Sequence, residues 1–360
     1  MSSTPLTASS RDLRRCTRCV LPATYPGITY DEEGVCHLCL EEQRRQWKPR
    51  GEEALQKLLE QYPRGAGEYD CLVALSGGRD SSFALHYAVQ TLERKVLAFT
   101  IDNGLIPQQT WENIASAVSI LGVDHIVIRH NLLTKSIRPV LRAWRKRPSA
   151  RMVAMMCLGC RLGMHREFRT LSKAQGIPLC LSGGGEPEKS FATALFTRST
   201  GRLKRTVGML GGMCAEMLRN PRYLIPPTIP WRMAMEFLHE YPPTRFIHRR
   251  LAPAWRYLPL FYYLPYDEAR IMSVITNELG WKKYHHSAAA WRSDCKIHLL
   301  KQALYQQTLG FTKNDELISG LIRRGEMTRG EGLARLSHDN LIPDAFLHEL
   351  FAEIGLDHEA

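Results

Sequence analysis

The stretch that most constrains this chain is Tyr69-Asp70-Cys71-Leu72-Val73-Ala74-Leu75 running into Ser76-Gly77-Gly78-Arg79-Asp80-Ser81-Ser82. The apolar run reads as a buried strand and the paired glycines as a sharp turn. Residues 83–92 (FALHYAVQTL) read as the amphipathic helix that follows. A strand that breaks into glycines before a helix builds an anion cradle, because backbone N–H groups and a helix N-terminus face the same point. Ser76, Ser81 and Ser82 add hydroxyl donors around Gly77 and Gly78. Asp80 would repel a bare phosphate, so its presence points to Mg²⁺ between its carboxylate and a nucleotide. The motif is neither G-x-G-x-x-G nor Walker A, which argues against dinucleotide and γ-phosphate sites. GGGEPEKS (183–190) misses Walker A because Glu188 stands where the second glycine belongs. An ordinary capped turn would explain any two residues of SGGRDSS, but not seven in this order after a buried strand.

The same alternation continues downstream. KVLAFTID (95–102), DHIVIRH (124–130) and IPLCLSGGG (177–185) read as strands, with WENIASAVSILG (111–122) and REFRTLSKAQG (166–176) as helices. Apolar runs alternating with helical patterns predict an α/β, doubly wound parallel sheet. The organisation expected is a disordered terminus over 1–15, then a metal module with a linker helix (EEALQKLLEQ, 52–61) over 16–62. A nucleotide-binding domain over 66–190 follows, then a basic, aromatic, Pro-rich insertion over 191–266 and a helical C-terminal region over 267–360. Nine of the 20 prolines fall between Pro221 and Pro265, so that stretch reads as short helices over the site, with LPLFYYLPY (258–266) as core packing under a lid.

Ten cysteines include three CxxC pairs. Cys16-x2-Cys19-x16-Cys36-x2-Cys39 has the spacing of a four-cysteine zinc ribbon, a closed structural Zn²⁺ site. Cys157-Leu158-Gly159-Cys160 follows the third strand and would face the crevice beyond the carboxyl ends of the strands. With Cys295, Cys180 or Cys214 as a third ligand it would suit an iron–sulfur cluster, while a second zinc site or two thiols at a helix start are the plainer readings. Cys71, inside a strand, reads as a buried inert thiol.

SGGRDSS resembles the SGGxDS pyrophosphate loop of the ATP pyrophosphatases, the PP-loop superfamily, whose fold is of the adenine nucleotide alpha hydrolase type. TIDNG (100–104) resembles the strand end where that superfamily holds adenine and ribose, which would place Asp102 at the nucleotide. The resemblance implies that ATP is cleaved between its α- and β-phosphates, with Arg79, Asp80 and Ser81 at the reacting phosphates. Within the superfamily, CTRCVLPATYPGITYDEEGVCHLC (16–39) resembles the N-terminal zinc module of the N-acetyl sugar amidotransferases of lipopolysaccharide and sialic-acid-like sugar biosynthesis. GVDHIVI (122–128) and CLGC (157–160) fit the same family. SGGGE (182–186) matches its Gly-Glu turn, adding Gly185 and Glu186 to the nucleotide set, and ELISGLIRRGEMTRGEGL (316–333) resembles its closing segment. No counterpart is visible for 190–266. This family implies adenylation of an N-acetyl oxygen on a sugar, followed by attack of ammonia from a separate glutaminase subunit, since no glutaminase pattern is present in the chain.

Lys plus Arg at 48 against Asp plus Glu at 36 leaves +12, which favours an anionic partner without choosing one. RAWRKRPSAR (142–151), RLKR (202–205) and RFIHRR (245–250) would serve a competing reading, a sulfurtransferase that thiolates tRNA or a small molecule through the same adenylate. Arg145 or Arg147 would equally contact a nucleotide-sugar diphosphate, and the plain alternative is a solvated face. His285 and His286 are candidate bases or solvated side chains. No apolar run approaches the roughly 20 residues of a membrane span. The N-terminus lacks a secretory core, so a cytoplasmic chain is expected.

Overall fold

The computed structural model describes residues 13–45, 48–64, 67–129, 137–185, 194–196, 202–224, 231, 256–290 and 294–356. Strands β1 (Cys71–Ala74), β2 (Val96–Asp102), β3 (Asp124–Arg129), β4 (Leu179–Gly185) and β5 (Arg256–Phe261) form one sheet in the order β3-β2-β1-β4-β5. Every pairing is parallel. The order reverses between β1 and β4, so the crevice at their carboxyl ends is the topological switch point where open α/β sheets bind ligands.

Side-chain alternation splits the sheet's two faces. Cys71 and Val73 of β1 and Leu75 just beyond it point one way, with Leu179 and Leu181 of β4 and Leu258 and Leu260 of β5. They pack under helices α2 (Glu52–Leu59), α3 (Arg79–His86) and α4 (Gln108–Leu121). Leu72, Leu97, Phe99 and Cys180 point the other way, onto Phe168. That residue lies on α7 (Leu158–Gln175), which follows α5 (Arg138–Lys146) and α6 (Ala150–Met155). The helix expected over 83–92 starts at Arg79 and ends in a short π-helical segment over Tyr87–Thr91. Beyond β4 runs α8 (Arg202–Arg219). After β5 come α9 (Glu268–Leu279), α10 (Lys296–Leu309), α11 (Lys313–Arg323), α12 (Arg329–Asp339) and α13 (Asp344–Glu353). No helix among the described residues is long and apolar enough to cross a membrane.

The structure differs from the sequence expectation most clearly at 256–261. Leu258, Leu260 and Phe261 of this Pro-rich piece are core residues as expected, but the piece is the fifth strand of the main sheet rather than a short helix over the site. The prolines hide it because periodicity rules exclude proline from central strands. Here the strand lies at the sheet edge. Arg256 N–H donates to Pro178 O toward β4 (2.6 Å), so Pro259, three residues on, turns its nitrogen to the unpaired side. Helix α8 likewise lies inside the segment expected to hold only short helices. Most of the remainder of 191–255 lies outside the described residues.

A third apolar cluster joins the cysteine module (α1, His37–Arg45, and the turns before it) to α5, α6, α10 and α13 through Leu21, Val140, Trp144, Leu300, Leu304 and Phe351. Leu181→Ala, at a fully buried site between β1 and β5, is expected to destabilise the protein by about 2–5 kcal/mol. Val127→Ala on the open face of edge strand β3 should change stability by under about 1 kcal/mol. Urea denaturation of the two variants checks this, and similar losses would contradict the burial assigned to the sheet faces.

Candidate nucleotide site and metal centre

The chain leaves β1 through Gly77, whose φ of +76° lies in the left-handed region. A Cβ there would also come within 2.6 Å of Thr110 Cγ2 and 2.8 Å of Ile114 Cγ1 on α4. Conformation and space therefore both exclude a side chain. Trp281 Nε1 donates to Gly77 O (3.0 Å), and the Thr100 hydroxyl donates to Leu75 O (2.6 Å), pinning the turn from behind. His125 Nε2 lies 2.8 Å from the Thr100 oxygen, and burial lowers the pKa of its ring, which favours a neutral partner there. On the open side, Ser76 N–H donates to Ser81 Oγ (3.2 Å), the Ser81 hydroxyl donates to Gly78 O (3.1 Å), and the two hydroxyl oxygens are 3.0 Å apart.

Gly78 has an ordinary φ of −76°. The Asp294 side chain crowds it, since its Cγ would be 3.1 Å and its Oδ2 3.2 Å from an added Cβ and would have to give way by a few tenths of an ångström. Gly183 of β4 is held by backbone instead, since a Cβ on it would meet Asp80 O at 2.2 Å. The loop is thus a seam where β1, β4, α3 and α4 close to backbone distance and the side chains of Trp281 and Asp294 pack against it. Asp294 and Trp281 were missed in the sequence. Their only signal was position in the chain, and nothing in RSDC or GWKK announces that either returns to the loop.

The first turn of α3 separates the expected site residues. Asp80, with its side chain 31% exposed, and Ser81 lie toward the open side. Arg79 and Ser82 turn inward and are 2% and 1% exposed. Ser82 donates its N–H to Gly78 O (3.0 Å), while its hydroxyl is buried without a hydrogen-bond partner. It is therefore not placed as a phosphate donor. Positions 79 and 82 share one helix face, and that face packs inward. The Arg79 guanidinium donates to Asp80 Oδ1 (3.1 Å), Glu268 Oε1 (2.5 Å) and the Tyr266 hydroxyl, and lies over the Tyr266 ring. Burial pushes its pKa down, but Asp80, Tyr266 and Glu268 outweigh that and hold it above the ordinary value. It stands behind the loop rather than in it.

Asp102 closes the β2 turn, accepting from Gly104 N–H (2.8 Å), with Arg129 Nε 3.6 Å from its other oxygen. Gly185 ends β4, where a Cβ would meet Phe261 Cβ at 2.5 Å. Glu186 lies outside the described residues.

Cys16, Cys19, Cys36 and Cys39 bring four buried sulfurs within 4.8 Å of one another. The pairs Cys16–Cys39, Cys19–Cys36 and Cys36–Cys39 are 3.9, 3.7 and 3.6 Å apart. A tetrahedron of Zn–S bonds of about 2.3 Å has edges of about 3.8 Å, so the cage fits such an ion. Cys36 N–H (3.2 Å) and Cys19 N–H (3.4 Å) both donate to Cys16 Sγ. Hydrogen bonds from Cys36 and Cys39 hold the Cys19 thiol far below its usual range, while Cys36 is pushed up to about 12, chiefly by its bond to Cys19. The module docks on the C-terminal helices through Arg15 to Asp315 (2.6 Å), Tyr25 O–H to Glu316 (2.8 Å), and Arg329 Nε to Cys16 O and Cys19 O (3.2 and 3.1 Å).

Cys157 stands at the start of α7 and accepts from Lys301 Nζ (3.4 Å). The Cys160 side chain lies outside the described residues. Cys295 accepts from Asn103 Nδ2 (3.3 Å) at the end of β2, beside Asp294. Cys157 and Cys295 pack on the same apolar cluster, whereas Cys180 is buried in the sheet and Cys214 is exposed on α8. Of the third ligands considered, Cys295 is the one that shares a core with Cys157. Much of the 142–151 basic run has structural work. Arg145 donates to Leu356 O (3.3 Å) and lies over Phe351, Arg147 donates to Arg219 O (2.9 Å), and Arg151 donates to Leu195 O and Glu216. His286 packs on Phe346 with Glu349 3.7 Å away.

No protein-family model matches the chain. An uncharacterized protein of Methanocaldococcus jannaschii is 25% identical over 121 residues, which is 32% of this chain and 43% of that protein, so less than half of the relative's length is matched. Among solved structures, the NMN synthetase of Francisella tularensis superposes with a TM-score of 0.37 at 15% identity, over 81% of this chain and 98% of that one. The U34-tRNA thiolase NcsA of Methanococcus maripaludis with its [4Fe-4S] cluster gives 0.35 at 13% identity, over 90% and 89%. The NH3-dependent NAD synthetase of Campylobacter jejuni gives 0.26 at 15% identity, over 51% and 90%. Likenesses this slight transfer no activity.

Cys36→Ser is expected to reduce bound metal, measured by elemental analysis of purified protein, to a small fraction of the wild-type content, and to lower Tm by several degrees. A strong chelator should lower the wild-type Tm and leave that of the variant unchanged. Equal metal content in both proteins would contradict the cage.

Proposed function

We propose that the chain is an ATP pyrophosphatase of the PP-loop type, which adenylates a carbonyl oxygen and lets a nucleophile displace AMP. The observation that carries this reading is the Gly77–Gly78 turn, left-handed and without room for a side chain at Gly77, at the switch point between β1 and β4. Backbone N–H groups at such a turn, the N-terminus of α3 and the Ser76 and Ser81 hydroxyls suit a leaving pyrophosphate, whose charge grows as the α–β bond breaks. Asp80 offers a part-exposed carboxylate at that cradle, the oxygen ligand a hard cation requires, and would hold Mg²⁺ there. That ion would neutralise charge on the departing phosphates.

The finer reading is amidination of an N-acetyl sugar, nucleotide-linked or destined for surface polysaccharide. It is supported by the likeness of 16–39, 157–160 and 316–333 to the sugar amidotransferases. The acetamido oxygen attacks the α-phosphorus and expels pyrophosphate. Ammonia from a partner glutaminase then adds to the imidate carbon, the C–O bond to AMP breaks, and loss of a proton leaves an acetamidino group. An amide is a poor electrophile until its oxygen becomes a phosphate ester. A four-thiol Zn²⁺ site docked far along the chain on α11 and α12 serves the fold in this scheme. The alternative, thiolation of tRNA or a small molecule, is favoured by one observation. Cys295 and Asp294 close on the ends of β2 and the loop, with Cys157 on the same core, so an iron–sulfur cluster held by Cys157, Cys160 and Cys295 would sit at the crevice.

With Mg²⁺, ammonium and a UDP- or CMP-linked N-acetyl sugar, the protein is expected to form AMP and pyrophosphate in equal amounts. Asp80→Asn should slow this by about 100-fold or more. Turnover of ATP to ADP, or full activity in Asp80→Asn, would overturn the reading. AMP formation that depends on sulfide and tRNA rather than on ammonia would select thiolation.

A further inference from the structure

We propose that Tyr266, backed by Arg79, Glu268 and Arg335, is a positioning residue that aims the Asp80 carboxylate at the cation accompanying ATP; this rests on the nucleotide reading above. The direction of each hydrogen bond is forced. Arginine has donors only, so the Tyr266 oxygen, contacted by Arg79 Nη2, accepts there. Its own proton is therefore committed to Asp80 Oδ1 at 3.0 Å. The same oxygen receives Arg79 Nε–H at 3.1 Å, so two donors on one carboxylate oxygen fix the plane of the group. Burial and the Asp80 charge raise the pKa of Tyr266, so it stays protonated and remains a donor across the working pH range.

The support behind the pair is equally directed. Glu268 accepts Arg79 Nη1 at 2.5 Å and a two-pronged contact from Arg335, Nη1 to Oε2 and Nη2 to Oε1, both at 2.9 Å. Arg335 Nε is in turn held by Asp339 at 2.9 Å on the same helix. Burial would push Glu268 up, but its bonds with Arg335 and the Arg79 charge win and hold it below the ordinary carboxylate range, so it is ionised at neutral pH. Burying a guanidinium without counter-charges would be costly, and the two carboxylates with the Tyr266 hydroxyl meet that requirement. Simple neutralisation needs neither Tyr266 on Asp80 nor a fixed carboxylate plane. Both follow if the carboxylate has to meet a cation in one orientation.

Binding of Mn²⁺ to the full-length protein with α,β-methylene-ATP, read by electron paramagnetic resonance, tests this apart from turnover. Tyr266→Phe removes one hydrogen bond to a charged group and should weaken Mn²⁺ binding about ten-fold, with nucleotide affinity in the absence of metal unchanged. The metal concentration for half-maximal AMP formation should rise by a similar factor, and kcat at saturating metal should recover to within about two-fold. Unchanged Mn²⁺ affinity in a folded Tyr266→Phe protein would overturn the proposal. Should that variant fail to fold, Glu268→Gln keeps the tyrosine, and is expected to weaken Mn²⁺ about three-fold; no change would again overturn it. Wild type that binds Mn²⁺ and nucleotide while the variants match it defeats this proposal alone. Wild type that binds neither defeats the nucleotide reading, and this with it.

Discussion

A guanidinium buried beneath the glycine loop is the constraint on which this architecture turns. Arg79 carries a fixed charge at 2% exposure, and the neighbouring Asp80 supplies one counter-charge. The second, Glu268, and the neutral Tyr266 hydroxyl come from nearly 190 residues later, at the start of α9 and the end of the turn that leaves β5. Glu268 is shared with Arg335, which brings α12 to the same point. The carboxylate of Asp80 is therefore set by Tyr266 directly and, through Arg79, by a network drawn from two remote segments, 266–268 and α12.

Helix α12 reaches further. At its first residue, Arg329 holds the carbonyl oxygens of Cys16 and Cys19, and six residues later Arg335 holds Glu268. Two capping boxes, Thr312 with Asp315 and Thr328 with Glu331, fix where α11 and α12 begin. The cysteine module and the glycine loop are far apart in sequence, yet both rest on one short helix. The C-terminal helices supply, through Arg335 on Glu268, support that the sheet does not provide for its own crevice, and the module is held on the same helix through Arg329.

Much of this was legible in advance, and the reasons differ from element to element. β1, β2 and β4 announced themselves as apolar runs because strands buried on both faces have little polar alternation to confuse. β3, a part-exposed edge strand, showed instead through its Ile126-Val127-Ile128 run. The four-cysteine cage was readable from spacing alone, since metal geometry leaves few ways to place two CxxC pairs. β5 was not readable, because Pro259 is tolerated only through its edge position, and edge position is a property of the sheet. Ser82 and Arg79 looked equivalent to Ser81 and Asp80 in the motif. Helix phase against a packed core separated them.

By itself the sequence determined which local structures form: a glycine turn after β1, a helix following it, the thiol cage. Those depend on backbone conformation and spacing within a few residues, or on ligand chemistry with strict geometry. The tertiary structure alone decided that Asp294 lies against Gly78, that Trp281 holds Gly77, and that Tyr266 and Glu268 stand behind Asp80. Such contacts join residues with no periodic or spacing relation, and they exist only where burial of charge and close backbone approach force distant segments together.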